Sequence, residues 1–144
     1  MGEILTIKQN EDLYKDVLAL RQLILRDPLS MTYTNDELEA DKKFIFFAYR
    51  DNGELLGTVS LEALSKEKAQ LRQMAVHDRL QGKGVGRELV MALEDYCRKN
   101  GFKEIHLDAR YPARGFYAKL GYTEYGAIYD KIGIKHIDMM KKLS

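Results

Sequence analysis

The chain has 144 residues, of which 45% are hydrophobic and 31% are charged, as in an ordinary globular protein. Its 23 basic and 22 acidic residues nearly cancel, so bulk charge favours neither a nucleic-acid partner nor an anionic membrane surface. No apolar run approaches the roughly 18 residues of a membrane span, and the N-terminus lacks a signal-peptide core. The single cysteine, Cys97, excludes an intrachain disulfide framework. We therefore expect one cytoplasmic domain over residues 1–144.

The N-terminal part of the chain predicts one strand and two helices. Residues 3–8 read as a short strand. Asn10 can cap a helix that Pro28 ends. The apolar residues of this helix recur at helical spacing: Leu13, Val17, Leu20 and Ile24. Thr34 or Asn35 can cap a short second helix in the acidic segment that follows.

Three antiparallel strands are predicted next. Residues 43–49 are aromatic and β-branched, and Asn52 with Gly53 favours a hairpin turn of type I′. Residues 55–64 return as the partner strand, and a second polar turn leads into residues 69–76.

The remainder of the chain predicts two more helices and three more strands. A strong helix spans about residues 84–100, and residues 104–109 form a strand. Pro112 fits the first turn of another helix. Residues 122–141 hold two further short strands, the last around 136–140. The predicted order is βααβββαβαββ, an α/β domain with a mixed sheet.

A glycine-rich loop, Gln81–Arg87, lies between a predicted strand and the strong helix. Its three glycines stand at alternate positions and remove side chains that would keep a ligand off the backbone. The helix start adds unpaired N–H groups and the positive end of a dipole, and Lys83 and Arg87 add charge. The loop therefore predicts a diphosphate-binding site.

Three classes of diphosphate ligand compete for this loop. A P-loop is excluded because no Gly-Lys-Ser/Thr string follows at the required spacing. A dinucleotide-binding fold needs a third glycine where Arg87 or Glu88 stands here. Coenzyme A is the remaining class. A tight turn without any ligand is common for one glycine but poorly explains three glycines beside two cations.

Two motifs resemble the signatures of the GNAT acetyltransferases. Residues 72–76, followed by 81–86, resemble the family's strand and its Q/R-x-x-G-x-G/A motif. Residues 115–122 resemble its second signature, F-Y-x-K-x-G-F/Y. Residues 133–139 resemble the G-I-P-H-x-x-M ending of small bacterial ElaA-like and YjcF-like members. The resemblance implies the GNAT fold, a mixed central sheet of about seven strands flanked by about four helices.

The resemblance also implies a reaction. An acetyl group would pass directly from acetyl-coenzyme A to an amine of a small molecule or a peptide, in a ternary complex that needs no metal. A backbone N–H near Ala75 or Val76, on a strand splayed from its neighbour, would polarise the thioester carbonyl. The implied cofactor contacts are Met74, Ala75, Val76, Gln81, Gly82, Lys83, Gly84, Val85, Gly86, Arg87, Phe116 and Lys119. A homodimer is also implied.

Tyr117 is the candidate general acid, because the family places its catalytic tyrosine at this position of the second signature. A phenol with a pKa near 10 can protonate a departing thiolate where the site favours it, for example through a hydrogen bond to the sulfur. A tyrosine on an apolar helix face can instead be a core residue with a solvated hydroxyl.

The sequence leaves the general base unassigned. Some relatives carry a glutamate on the strand before the glycine loop. Period-two alternation puts Gln70 and Arg72 on that face, together with Met74. Substitutes for the base are Glu39, Asp41, Glu62, His136 and a water chain.

The candidate substrate contacts are Arg72, Arg21 and His136. Arg72 can meet an anionic group of the substrate, or pair with an internal acid such as Glu62 or Glu39. The three histidines do not form a metal-ligand spacing, and Cys97 is expected in the core. A second function also stays open, a catalytically silent domain that binds acyl-coenzyme A as a sensor.

Overall fold

The computed structural model describes residues 2–144, and its centre is one seven-stranded sheet. The strands follow the spatial order β1-β2-β3-β4-β5-β7-β6. Only β4 and β5 pair in parallel; the other neighbours are antiparallel. Their bounds are β1 Glu3–Lys8, β2 Ile45–Asp51, β3 Glu54–Ala63, β4 Lys68–Val76, β5 Glu104–Arg110, β6 Thr123–Lys131 and β7 Ile134–Lys142.

Four α-helices accompany the sheet: α1 Tyr14–Arg21, α2 Asn35–Ala40, α3 Val85–Lys99 and α4 Arg114–Lys119. The element order is the predicted βααβββαβαββ, and the predicted α/β fold with a mixed sheet of seven strands and four helices is confirmed. The type I′ turn is also confirmed, since Asn52 and Gly53 both have positive φ, 51° and 77°.

Two hydrophobic cores lie on opposite faces of the sheet. The larger core contains α3, whose Leu89, Val90 and Leu93 side chains are fully buried. Burial of each of these side chains contributes roughly 1.5–3 kcal/mol relative to exposure. Tyr117 places α4 in the same core. The smaller core packs Val17 of α1 against β1 and β2.

The first helix differs from the prediction at both ends. It begins after Leu13 and not at Asn10, because the chain leaving β1 first makes a turn in which the Glu11 N–H donates to the Lys8 carbonyl. At its other end it continues as a π-helical turn, Gln22–Arg26, before Pro28. This wider turn directs Leu25 and Arg26 to the cavity described below.

The second helix begins at a capping box. The Glu37 N–H donates to Thr34 Oγ1 at 3.2 Å, and the Glu37 carboxylate accepts from the Thr34 N–H at 3.0 Å. Of the two predicted caps, Thr34 is therefore the one used, and Asn35 is the first residue of the helix.

Candidate functional site

The sheet opens between β4 and β5. These strands pair only where Lys68–Gln70 lie beside Glu104–His106, and they diverge beyond that point. A cavity of about 270 Å³ lies in the opening, lined by residues 71–74 of β4 and 107–110 of β5. The backbone edges that face this cavity have no strand partner, so they are available to an extended ligand.

A β-bulge shapes the β4 side of the opening. Its register with β3 slips between Thr58 and Ser60, and Gln73 adopts φ 56°. Met74 consequently packs against the core under α3, whereas the Arg72 guanidinium lies 5.6 Å from the Phe44 ring in the other core. The expectation that Arg72 and Gln70 share a face with Met74 is therefore wrong, because the bulge breaks the period-two alternation.

The glycine loop has the features of an anion cradle. Gly82 and Gly84 have φ of 79° and 83°, a left-handed conformation that residues with a side chain rarely adopt. Gly84 is the N-cap of α3, and the first intrahelical bond is made by the Glu88 N–H. Within residues 2–144 no backbone acceptor takes the N–H groups of residues 85–87.

The two cations of this loop are available to a ligand. Lys83 and Arg87 are exposed, and neither forms an ion pair or side-chain hydrogen bond with the described residues. Arg79 differs, because it donates to Glu54 at 2.8 Å. The N–H groups, the helix dipole and the two free cations together fit a diphosphate.

Other predicted loop residues have structural partners. Gln81 Nε2 lies 3.4 Å from the Val76 carbonyl and tethers the loop to β4. Val85 is buried in the core under α3. A Cβ on Gly86 would lie 3.1 Å from Cζ of Phe116, so this glycine also lets α3 approach α4 closely. Ala75 is buried, and Lys119 is exposed at the end of α4.

Tyr117 lines the cavity from the side of α3 and α4. Its ring is 6% exposed and packs edge-on against Phe116 and Tyr122, with centroids 5.0 and 6.0 Å away. No described residue forms a hydrogen bond with its hydroxyl. Burial, with a smaller effect of the Asp108 carboxylate, raises the Tyr117 pKa above its ordinary value. The hydroxyl therefore stays protonated at neutral pH.

The opposite wall of the cavity is charged and was not predicted from the sequence. Arg26, at the end of the π-helical turn, donates to both carboxylate oxygens of Glu37, at 3.1 and 2.5 Å. Its guanidinium also lies 4.0 Å from the centre of the Tyr33 ring. The hydrogen bond from Arg26 lowers the Glu37 pKa to about 2. The prediction of a helix cap at Thr34 or Asn35 gave no sign of this pair.

Residues near the C-terminal end of β5 complete this wall of the cavity. Asp108 pairs with Lys131, the last residue of β6. Arg110 donates to the Leu25 carbonyl at 3.1 Å and has no carboxylate partner among the described residues. Burial lowers the Arg110 pKa, the nearby Tyr33 partly offsets this effect, and Arg26 adds to it.

His136 lies directly opposite Arg110 on β7 and is 4% exposed. Its Nδ1 lies 2.8 Å from the Ile134 carbonyl oxygen, and a carbonyl can only accept, so Nδ1 carries the hydrogen. The neutral ring therefore has its lone pair on Nε2. The ring stacks on Tyr129 at 6.0 Å and lines the cavity.

Arg21 is not at the cavity. It is 0% exposed and donates to Asp41 at 2.9 Å, and Asp41 also accepts from the Tyr14 hydroxyl at 2.5 Å. The expectation that Arg21 contacts a substrate is wrong, because its helix turns this side chain into the smaller core. Arg72 does line the cavity and lies 3.3 Å from Glu62, one of its two predicted partners.

The cavity thus connects the two faces of the sheet. Phe116 and Tyr117 reach it from the face of α3, next to the anion cradle. Arg26, Arg110 and His136 reach it from the other face. This geometry defines an α/β protein in which two ligands can approach one another through a gap in the sheet.

Residues 27–143 match the profile of the Acetyltransferase (GNAT) domain, and the chain belongs to this family. An uncharacterized acetyltransferase in the arcA 3′ region of Streptococcus pyogenes is 30% identical over 95 residues, 66% of this chain. The match spans 62% of that relative's length. The predicted family resemblance is confirmed.

Solved structures agree on the fold. Escherichia coli ElaA superposes with a TM-score of 0.82 at 22% identity, covering 98% of this chain and 99% of that one. The ribosomal-protein-S18-alanine N-acetyltransferase from Escherichia coli gives a TM-score of 0.81 at 21% identity, covering 100% and 95%. At this identity the likeness establishes the fold and leaves the acceptor open.

None of the helices in residues 2–144 is long and apolar enough to cross a membrane. The same residues contain no group of three or more His, Cys, Asp or Glu side chains placed to hold a metal ion. Cys97 is fully buried, and burial raises the pKa of its thiol to about 12, so its predicted place in the core is confirmed.

Proposed function

We propose that the chain is an acetyl-coenzyme A-dependent N-acetyltransferase that acts on the amine of a small molecule or a peptide. The observation that carries the proposal is the cavity between β4 and β5, which Tyr117 lines from one face of the sheet and His136 from the other. One proton donor and one proton acceptor on opposite sides of a gap suit a reaction in which a thiolate leaves and an amine attacks.

The glycine loop and the β4 edge would hold the donor. Acetyl-coenzyme A supplies an acetyl group activated as a thioester. Lys83, Arg87 and the free N–H groups at the start of α3 would bind its diphosphate. The unpaired edge of β4 would bind the pantetheine arm, with a backbone N–H near Ala75 or Val76 directed at the carbonyl oxygen.

Tyr117 would act as the general acid through its hydroxyl, Oη. Because its pKa is raised, this oxygen would give up its proton only to a thiolate that it contacts directly through a hydrogen bond. The absence of a hydrogen-bond partner for Oη among the described residues leaves its proton available to the sulfur. Phe116 and Tyr122 pack edge-on against the ring and hold it in place.

His136 would act as the general base through Nε2. The other candidates are engaged elsewhere: Asp41 is fully buried beside Arg21, Glu39 is exposed and pairs with Lys42, and Glu62 pairs with Arg72. His136 alone among the predicted bases lines the cavity. The Ile134 carbonyl fixes its ring so that Nε2 can accept a proton from the acceptor amine.

Release of the free thiol of coenzyme A tests this function. The purified protein is mixed with acetyl-coenzyme A and a panel of amines, and thiol release is compared with a reaction that lacks amine. Amine-dependent release over many turnovers is expected. Calorimetric binding of coenzyme A without amine-dependent release would instead establish the alternative, a catalytically silent sensor. Failure to bind coenzyme A at all would remove both functions.

A further inference from the structure

The charges that line the cavity do not balance. Four cationic side chains line it, Arg26, Arg72, Arg110 and Lys131, but only two acidic ones, Glu37 and Asp108. Both acids are already paired, with Arg26 and Lys131. Arg72 pairs with Glu62, which lies outside the lining. The lining therefore has an excess of positive charge at Arg110, away from the cations of the glycine loop.

Arg110 has the strongest need for a counterion. Its one hydrogen bond within residues 2–144 goes to the Leu25 carbonyl, a neutral group. A half-buried guanidinium without an anion is unfavourable, because it has lost part of its hydration and gained little in return. Its side chain emerges on the sheet face that also carries His136, since the two residues are register partners.

Arg72 is also incompletely satisfied. Its contact with Glu62 is a single one of 3.3 Å through Nη1. Its Nε is buried and has no hydrogen-bond partner among the described residues. A planar anion that entered from the cavity could accept from this nitrogen, as guanidinium groups bind carboxylates through paired N–H donors.

We propose that the acceptor is a small amine that carries a carboxylate, and that Arg110 is the residue that anchors this carboxylate, assisted by Arg72. The inference rests on the proposed acetyltransferase function and names the acceptor class for the same site. Side chains directly opposite on antiparallel strands have Cβ atoms about 4.5–5.5 Å apart. The Arg110 and His136 side chains therefore start side by side on one face of the sheet. An amino acid whose carboxylate binds Arg110 would present its amine to His136 Nε2.

The size of the cavity also favours a small acceptor. Its volume of about 270 Å³ must hold the reacting end of the donor together with the acceptor. Ligand pockets for larger molecules are about 300–1,000 Å³. A carboxylate-bearing amine of amino-acid size fits the space that remains and supplies the missing negative charge.

The test compares each amino acid of a panel with its own carboxamide, using thiol release to measure kcat/KM. The carboxamide keeps the side chain and the amine but lacks the negative charge. Without a neighbouring carboxylate its amine has a lower pKa and is less protonated, so amine ionisation alone would favour the amide. We expect the acid to exceed the amide by about tenfold or more for the best acceptor.

The variant Arg110→Gln is expected to lower this acid-to-amide ratio by about tenfold, and Arg110→Lys to lower it less, because charge is kept but the paired donors are lost. Arg50→Gln is the matched control, since Arg50 pairs with Glu3 at the far side of the sheet and should leave the ratio unchanged. A binding measurement, which does not depend on turnover, complements these rate ratios. By calorimetry, the carboxylic acid that lacks the amine should bind the wild-type protein, and the isosteric amide should not.

Each contrary outcome is distinct. An equal or lower rate for the acids, or an unchanged ratio in a folded Arg110→Gln protein, would overturn the carboxylate anchor while the acetyltransferase function stands. A clear preference for an amino-alkyl phosphate, or for a peptide with an amidated C-terminus, would overturn the acceptor class. If no amine in the panel brought about thiol release, the proposed function itself would be wrong. If Arg110→Gln fails to fold, the wild-type ratio and the calorimetric pair decide the question.

Discussion

Arg26 donates two hydrogen bonds to the Glu37 carboxylate, and its guanidinium lies over the Tyr33 ring. One residue of the π-helical turn therefore connects α1 to α2 at the cavity wall. The geometry is that of a bidentate Arg–carboxylate pair, the most favourable form of ion pair. It fixes the start of α2, because Glu37 is also the acidic member of the capping box. The wall on the acceptor side therefore depends on this contact.

The Glu37 pair predicts a stability change that depends on pH. The folded-state pKa of about 2 lies below the ordinary value of 4.5, so the stabilisation is complete above pH 4.5 and is lost as the pH falls towards 2. Glu37→Gln should lower the free energy of unfolding at pH 7 by about 1 kcal/mol, a value reduced by solvent screening because the side chain is partly exposed. Urea unfolding at several pH values measures this. A difference that persists undiminished at pH 2 would contradict it.

Substitution of Gly84 should lower both the stability of the protein and its affinity for coenzyme A. With φ 83°, an alanine at this N-cap is strained, and Gly84→Ala should lower stability by about 1 kcal/mol and weaken coenzyme A binding. Gly115→Ala is the matched control, because Gly115 lies in α4 without a positive φ and with no atoms near its Cβ position. It should be neutral or slightly stabilising. Equal coenzyme A affinity in Gly84→Ala and wild type, measured by calorimetry, would exclude the loop as the diphosphate site.

Ile132 predicts stored backbone strain at the cavity. It adopts φ 50°, which a β-branched residue rarely does, in the turn between β6 and β7. Ile132→Asn should raise the free energy of unfolding by about 1 kcal/mol, because asparagine tolerates this conformation. The gain would appear as a higher midpoint of urea unfolding. Ile128→Asn serves as its control, since Ile128 is exposed on β6 with an ordinary φ. A similar gain in both variants would show that surface polarity, and not strain, is responsible.

His136 predicts a loss of turnover that a nearby histidine does not share. His136→Gln should lower kcat by about 100-fold if Nε2 accepts the amine proton. His106→Gln is the control, because His106 is bound by Glu104 and Tyr125 outside the cavity. Both variants should keep their affinity for coenzyme A in calorimetry. A kcat for His136→Gln within twofold of the His106→Gln value would show that His136 is not the general base and would favour a water chain in that role.

Much of the fold could be read from the sequence because its signals are local. The Asn52-Gly53 turn, the helix cap at Thr34 or Asn35 and the helix over about residues 84–100 each depend on residues a few positions apart. The structure contains the turn, uses Thr34 as the cap and has α3 at Val85–Lys99. The glycine loop was equally local, since Gly82 and Gly84 are required by their own backbone angles.

The cavity wall was less predictable because its features are not local. The bulge at Gln73 places Met74 and Arg72 on opposite faces of the sheet, and no alternation pattern indicates such a bulge. Arg110 and His136 become neighbours only through the pairing of β5 with β7. Arg21 was misassigned because its partner, Asp41, lies 20 residues away in the chain. The acceptor side therefore required the structure.

The most direct test of the acetyl-transfer site is the single-turnover rate of Tyr117→Phe, with N-acetylated acceptor quantified by mass spectrometry. Phenylalanine keeps the packing against Phe116 and Tyr122 and removes only the hydroxyl, so folding and coenzyme A affinity should remain near wild type. We expect the rate of product formation to fall by about 100-fold or more at every pH at which the wild type is active. A wild-type rate for Tyr117→Phe, under conditions in which chemistry limits the reaction, would contradict the central claim.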